Sequence, residues 1–104
     1  MELGINATPS PETYTIAVTG EIDISNAGKL RDAIDLALEQ PTERVELDFA
    51  QVGYIDSTGI GVLVGAAHHA KDHGKSFGVV HAQPNVLRVA QLLGVDEEVG
   101  ITAA

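Results

Sequence analysis

The densest chemical signal in the sequence is a pair of neighbouring hydroxyl side chains, Ser57 and Thr58, which follow Asp56 and precede Gly59. A strand-like pattern gives way to a helical pattern here, so both hydroxyls are expected in the first turn of a helix. Free backbone N–H groups and the positive end of the helix dipole favour a negative group at that position. The pattern therefore indicates a phosphorylation switch, in which added charge beside Asp56 opposes a docked partner and leaves the fold intact.

A simpler interpretation of the same residues stays open. Asp56 and Ser57 are common helix-start residues, whose side-chain oxygens can cap the free N–H groups. Gly59 and Gly61 each lower helix stability by about 1 kcal/mol inside a helix. Such residues indicate the close approach either of a neighbouring part of the chain or of a partner. The residues alone do not decide between a plain cap with a packing glycine and a partner-binding switch.

Catalytic use of Ser57 is the main alternative chemistry, and the sequence disfavours it. A nucleophile elbow has glycine two residues before the serine, where this chain has Ile55. Gly59, Gly61 and Gly65 are similar to a dinucleotide-binding fingerprint, but the third glycine comes one residue late. We therefore predict a protein that is not an enzyme and that carries no cofactor.

A metal site is a second alternative. His69 and His73 lie four residues apart on a predicted helix with Asp72 between them, a spacing that can present two imidazoles to a metal ion. Histidines near the end of a helix also suit the negative end of its dipole, and the sequence fixes no third ligand. We predict no metal site.

Hydrophobic periodicity predicts the elements that position these residues, in the order β-β-α-β-α-β-α. Strands are predicted at residues 3–7, 13–19, 45–49 and 76–82, and helices at residues 25–40, 57–73 and 84–93. Ser25 is expected to cap the first helix, and Pro41 to end it. A loop through Gln51, Gly53 and Tyr54 is expected to join the third strand to the second helix.

This order of elements defines the fold class. Strand–helix–strand repeats imply right-handed crossovers and parallel pairing, while the initial hairpin adds an antiparallel edge. The sequence predicts an α/β fold with a mixed four- to five-stranded sheet and about three helices packed on it. Asp96, Glu97 and Glu98 are expected to form an exposed, poorly ordered approach to the C-terminus.

Length and charge restrict the partners. The chain has 104 residues, no cysteine and a formal net charge of −9. Its length predicts a single domain over residues 1–104. The excess of carboxylates disfavours nucleic acid and anionic membranes and favours a protein partner with a basic surface. The sequence shows no signal peptide and no apolar run long enough to cross a bilayer, so we predict a cytoplasmic protein.

Three segments resemble a known family. They are Gly20-Glu21-Ile22-Asp23, Val45-Glu46-Leu47-Asp48-Phe49 and Asp56-Ser57-Thr58-Gly59-Ile60-Gly61-Val62-Leu63, in this order. Together they are similar to the STAS domain of bacterial anti-sigma factor antagonists, and the resemblance covers residues 3 to about 95. It implies a single STAS-like α/β domain, in agreement with the predicted order of elements.

The resemblance implies a protein that binds an anti-sigma factor with serine kinase activity and thereby frees a sigma factor, with a phosphatase as a further partner. In the family, the first hydroxyl after the aspartate of the motif is phosphorylated, which in this chain is Ser57. The turn after the second strand belongs to the family's partner-contacting surface. The implied partner contacts are Glu21, Asp23, Asp56 and Thr58, with Gly59 permitting the partner's close approach.

Two further expectations follow from the resemblance. Family members commonly continue past the third helix into another strand and a terminal helix, whereas only residues 96–104 follow it here, so the terminal helix is expected to be short or absent. The alternative function is that of a STAS-type module that is never phosphorylated and serves as a ligand-binding or scaffold subunit.

Overall fold

Alternating apolar residues determine the strands of the sheet. In the computed structural model, which describes residues 3–103, these are β1 (Gly4–Pro9), β2 (Thr13–Ile22), β3 (Arg44–Ile55), β4 (Ser76–Ala82) and β5 (Ile101–Ala103). β2 buries Ile16 and Val18, and β3 buries Val45, Leu47 and Phe49, while the residues between them are only partly buried. One side of the central strands therefore faces the hydrophobic core.

The order of the strands in the sheet is the same as their order along the chain, from β1 at one edge to β5 at the other. β1 pairs with β2 in antiparallel fashion, and each later strand is parallel to the one before it. The predicted mixed sheet with an antiparallel edge hairpin is thus confirmed, and the sheet has five strands.

The helices α1 (Ala27–Leu38), α2 (Ser57–Asp72), α3 (Pro84–Leu92) and α4 (Asp96–Val99) connect the parallel strands. Apolar residues at helical spacing, such as Leu30 of α1, Leu63 of α2 and Val86 of α3, join the strand residues in one hydrophobic cluster. Within residues 3–103, no helix combines the length and the apolar character that crossing a bilayer would need.

Strand β3 is longer than the alternating pattern predicts. Residues 51–54, expected in a loop, belong to the strand, which continues to Ile55. The pairing of β2 with β3 shifts register after Ala17 and again after Gly20. These irregularities place the buried Val52 and Ile55 three residues apart rather than two, so the sequence shows no alternation there.

The predicted cap of α1 was also wrong. The residue at the N-cap position is Asn26, and α1 begins at Ala27. The hydroxyl of Ser25 donates to the carboxylate of Asp23, so it is occupied within the loop that precedes the helix. Ser25 therefore stabilises the loop and not the helix start.

The acidic segment near the C-terminus is ordered as a short helix, which corrects the expectation of a poorly ordered approach. Glu97 and Glu98 are exposed as expected, but α4 buries Val99 and is followed by Gly100, whose φ of 70° favours glycine. Ile101 of β5 is buried against the core. Among residues 3–103, no helix follows β5, which is the last element described.

Candidate functional site

The candidate site lies where β2 and β3 end side by side. Ile22 and Ile55 are register partners at the last positions of these parallel strands. The N–H of Asp56 continues the ladder by donating to the carbonyl oxygen of Ile22 at 3.1 Å. This pairing brings the loop of residues 23–26 next to the start of α2, at the carboxyl edge of the sheet, where α/β folds commonly place their functional sites.

Asp56 connects these two segments through its carboxylate. One oxygen, Oδ1, accepts from the N–H of Gly59 at 2.9 Å and so caps α2, as predicted. The other oxygen, Oδ2, accepts from the N–H of Ile24 at 3.2 Å. A single partly buried side chain therefore fixes both the start of the helix and the loop after β2.

Ser57 and Thr58 are the first two residues of α2, and both are exposed. The cap of the helix comes from Asp56 alone, so the expectation that Ser57 adds a capping oxygen was wrong. Thr58 lines a groove of about 260 Å³ between α1 and α2, together with Arg31 and Asp35. The two neighbouring hydroxyls thus have different surroundings, since Ser57 is not part of the groove lining.

Gly59 is buried, and its missing side chain faces the sheet. A Cβ atom there would lie 2.6 Å from Cγ1 of Ile55 and 2.7 Å from Cγ2 of Ile22, far closer than carbon atoms can approach. The glycine lets the first turn of α2 lie directly on the strand ends. We therefore correct the expectation for this residue: the close approach that Gly59 permits is to its own sheet and not to a partner.

Gly61 shows the opposite situation. It is exposed, and a Cβ atom at this position would meet nothing within 4 Å. The packing of the domain therefore does not require glycine at residue 61, although a glycine inside a helix lowers its stability.

The loop after β2 is held by a dense set of hydrogen bonds. The side chain of Asn26 accepts from the N–H of Asp23 at 2.9 Å and donates to the carbonyl oxygen of Glu21 at 2.7 Å. The carbonyl oxygen of Asp23 accepts from the N–H groups of Asn26 and Ala27 at 3.1 and 2.9 Å. Gly20 precedes this loop with a φ of 119°, a conformation that favours glycine.

The carboxylate of Asp23 is stabilised in its charged form. It accepts from the hydroxyl of Ser25 and, at 2.9 Å, from the N–H of the same residue. These two hydrogen bonds, with the hydroxyl contributing most, hold the pKa of Asp23 below its ordinary value. Glu21, near the end of β2, is exposed, so the end of β2 and the loop after it carry two carboxyl groups.

Sequence reasoning missed two residues of this arrangement, Ile24 and Asn26. Asparagine is a preferred residue at helix starts, which favours the N-cap position of Asn26, but its side chain makes no capping hydrogen bond and bonds within the loop instead. Ile24 is an apolar residue between two polar ones in a loop, which is a weaker signal. Its role is visible only through the contact of its N–H with Asp56, 32 positions later in the chain.

The histidines considered as metal ligands make other contacts. His69 lies 3.8 Å from the carboxylate of Asp35, and Nδ1 of His73 contacts the carbonyl oxygen of His69 at 2.8 Å. Within the part of the chain that the structure describes, residues 3–103, no three His, Asp or Glu side chains are grouped closely enough to hold a metal ion.

Comparison with known proteins agrees with this geometry. The family model described as "Mlab, STAS domain" matches residues 5–102. The chain belongs to the STAS domain family. This confirms the resemblance seen in the three sequence segments and agrees with the five-stranded α/β fold.

Individual relatives of this STAS domain are regulatory proteins. This STAS domain is 26% identical over 103 residues to the anti-sigma-B factor antagonist of Bacillus subtilis, and the match covers 99% of this chain and 94% of the relative. An anti-sigma factor antagonist from Mycobacterium paratuberculosis has a similar structure, with a TM-score of 0.88 at 22% identity, over 99% of this chain and 87% of the other.

The anti-sigma factor antagonist SpoIIAA shares the fold in both of its forms. The unphosphorylated form aligns with a TM-score of 0.81 at 21% identity, over 97% of this STAS domain and 88% of SpoIIAA. The phosphorylated form, from Bacillus, aligns with a TM-score of 0.74 at 20% identity, over 97% and 91% of the two chains.

Proposed function

We propose that this STAS domain is an anti-sigma factor antagonist that binds an anti-sigma factor serine kinase, frees a sigma factor, and is switched off by phosphorylation of Ser57. The observation that carries the proposal is the exposed Ser57 at the first position of α2, directly after the carboxylate that fixes the site. The name of the Bacillus subtilis relative supports the role of antagonist. A role in releasing sigma factors places the protein in the cytoplasm.

The start of α2 suits a switch because the fold tolerates a phosphate there. The first N–H groups of the helix and its dipole favour a negative group. Within the complex the same phosphate is unfavourable, since it adds about −1.5 to −2 charges that must be dehydrated beside Asp56. Phosphorylation then weakens binding without unfolding the domain, and a phosphatase reverses it.

The proposed partner surface consists of the exposed and partly exposed polar groups around Ser57. Glu21 and Asp23 lie on one side, Asp56 lies between the two segments, and Thr58 follows on α2. The acidic character of these groups supports a partner with a basic surface. The proposed role needs only binding and no catalysis by this chain.

Affinity capture with the wild-type protein and ADP, from a lysate of its native organism, tests this function. We expect an anti-sigma factor kinase to be the main captured protein, and mass analysis to find the phosphate on Ser57 after ATP is added. Ser57→Ala should bind the kinase and incorporate no phosphate, while the matched variant Thr58→Ala should still be phosphorylated.

Three outcomes would contradict the proposal in different ways. Unchanged phosphate incorporation in Ser57→Ala would refute the assigned site. A kinase that binds but never phosphorylates the protein would support the non-phosphorylated scaffold or ligand-binding module. Hydrolysis of a substrate that disappears in Ser57→Ala would instead indicate an enzyme.

A further inference from the structure

Ile24 is the most exposed large hydrophobic residue among residues 3–103, with 78% of its surface accessible. The next is Leu92 on α3, at 74%. A single exposed apolar residue is ordinary on a protein surface, so its exposure alone carries no meaning. The position of Ile24 distinguishes it, because it lies in the loop beside the start of α2.

The backbone of Ile24 is fixed before any partner binds. Its N–H donates to Oδ2 of Asp56 at 3.2 Å, and the neighbouring residues are held by the side chains of Asp23 and Asn26. A loose loop could turn an isoleucine inward, away from water. This loop holds its isoleucine outward, and little further ordering is needed when a partner covers it.

The two segments that form the site around Ile24 are acidic. Residues 20–26 and 53–60, which form the two segments of the site, contain Glu21, Asp23 and Asp56 and no lysine or arginine. Tyr54, the register partner of Glu21, is about half exposed at the end of β3. A partner that complements this surface has an apolar socket at its centre and cationic side chains around it.

We propose that Ile24 is the apolar anchor of the partner-binding surface, received by an apolar socket of the anti-sigma factor that lysine or arginine side chains surround. The proposal rests on the proposed function and adds the chemistry of the partner's surface. Binding anchors of this kind lie in fully dehydrated centres of interfaces. Because Asp56 bonds to the N–H of Ile24 and also caps α2, Ser57 lies close to the anchor. A phosphate on Ser57 would therefore lose its hydration when the socket closes over Ile24.

Measuring the dissociation constant for the purified anti-sigma factor kinase of the native organism, with ADP, tests the anchor. Ile24→Ala is expected to weaken binding at least about tenfold, and Ile24→Val, which keeps most of the apolar surface, only a few fold. Leu92→Ala is the matched control, because it removes a similarly exposed apolar side chain from α3. It should bind within about twofold of wild type, a change too small to indicate an anchor.

Thermal unfolding should show the same stability for wild type, Ile24→Ala and Leu92→Ala, since both side chains are exposed. Equal affinity of wild type and Ile24→Ala for the kinase would overturn the anchor while leaving the proposed function intact. A loss of affinity in Leu92→Ala as large as that in Ile24→Ala would do the same. If wild-type protein does not bind the kinase, the proposed function itself is refuted, and the anchor with it.

Discussion

The N–H of Ile24 donates to the carboxylate of Asp56, a hydrogen bond of 3.2 Å between residues 32 positions apart. The same carboxylate caps α2 through the N–H of Gly59. Asp56 thereby joins the loop after β2 to the helix after β3, and the proposed phosphorylation site directly follows it.

Replacing Asp56 should reveal both of its hydrogen bonds. Asp56→Ala removes the cap and the contact with Ile24, and we expect it to lower the free energy of unfolding by about 1–3 kcal/mol. Asp56→Asn keeps a good capping oxygen but cannot provide two acceptors, so its loss should be smaller, about 1 kcal/mol. Urea unfolding of the three proteins measures the difference, and equal stability of Asp56→Ala and wild type would contradict the assigned contacts.

Two glycines of α2 should respond to alanine in opposite directions. Gly59→Ala places a Cβ atom 2.6 Å from Ile55, so we expect a loss of about 1–3 kcal/mol from forced movement of the strand ends. Gly61→Ala meets no atom within 4 Å and improves helix propensity, so it should gain up to about 1 kcal/mol. Chemical denaturation of both variants checks the pair, and a gain for Gly59→Ala would show that α2 lies farther from the sheet.

A negative charge at Ser57 should not harm the fold. The first turn of α2 holds no acidic residue, and Ser57→Asp places one where the helix dipole favours it. We expect the free energy of unfolding to stay unchanged or to rise by up to about 1 kcal/mol. His73→Asp, which adds the same formal charge at the other end of α2, should instead lower it. Binding of Ser57→Asp to the kinase should be weaker than wild type, and wild-type affinity would refute the charge mechanism.

The pH dependence of Asp23 follows from its hydrogen bonds. Because the folded pKa lies below the ordinary value of 3.8, the contribution of this carboxylate to stability is present above that pH. It is lost as the pH falls through the lowered folded pKa. An NMR titration of the carboxyl carbon should show a midpoint below 3.8 in wild type.

Ser25→Ala removes the hydroxyl that contributes most to this shift, so the Asp23 midpoint should move upward. Ser10→Ala, in the β1–β2 turn, removes a hydroxyl that bonds only locally, to Thr13, and should leave it unchanged. An unaltered midpoint in Ser25→Ala would mean that the Ser25 hydroxyl does not hold the loop in solution.

The predictable part of this fold is the part with regular periodicity. The pattern of Val45, Leu47 and Phe49 predicts a strand, and all three residues lie in β3. The extension of β3 could not be predicted, because its register shifts remove the alternation that identifies a strand.

The candidate site could likewise be predicted from the sequence only where its contacts are local. The cap by Asp56 is local, reaching three residues along the chain, so residue types alone predicted it. The contact of Asp56 with Ile24 depends on the pairing of β2 with β3, which no local pattern specifies. The burial of Gly59 likewise depends on Ile22, which lies at the end of β2, far from α2 along the chain.

Each strand of this sheet pairs with the strand made just before it, and this has a consequence for biosynthesis. As the chain emerges from the ribosome, each of β2 to β5 finds a pairing partner already made, and only β1 has to wait for a later strand. The Ile24 loop, Asp56 and Ser57 all lie within two successive strand–helix units. The residues of the proposed partner-binding surface are therefore all translated before β4, so we expect no later strand to be needed to bring them together.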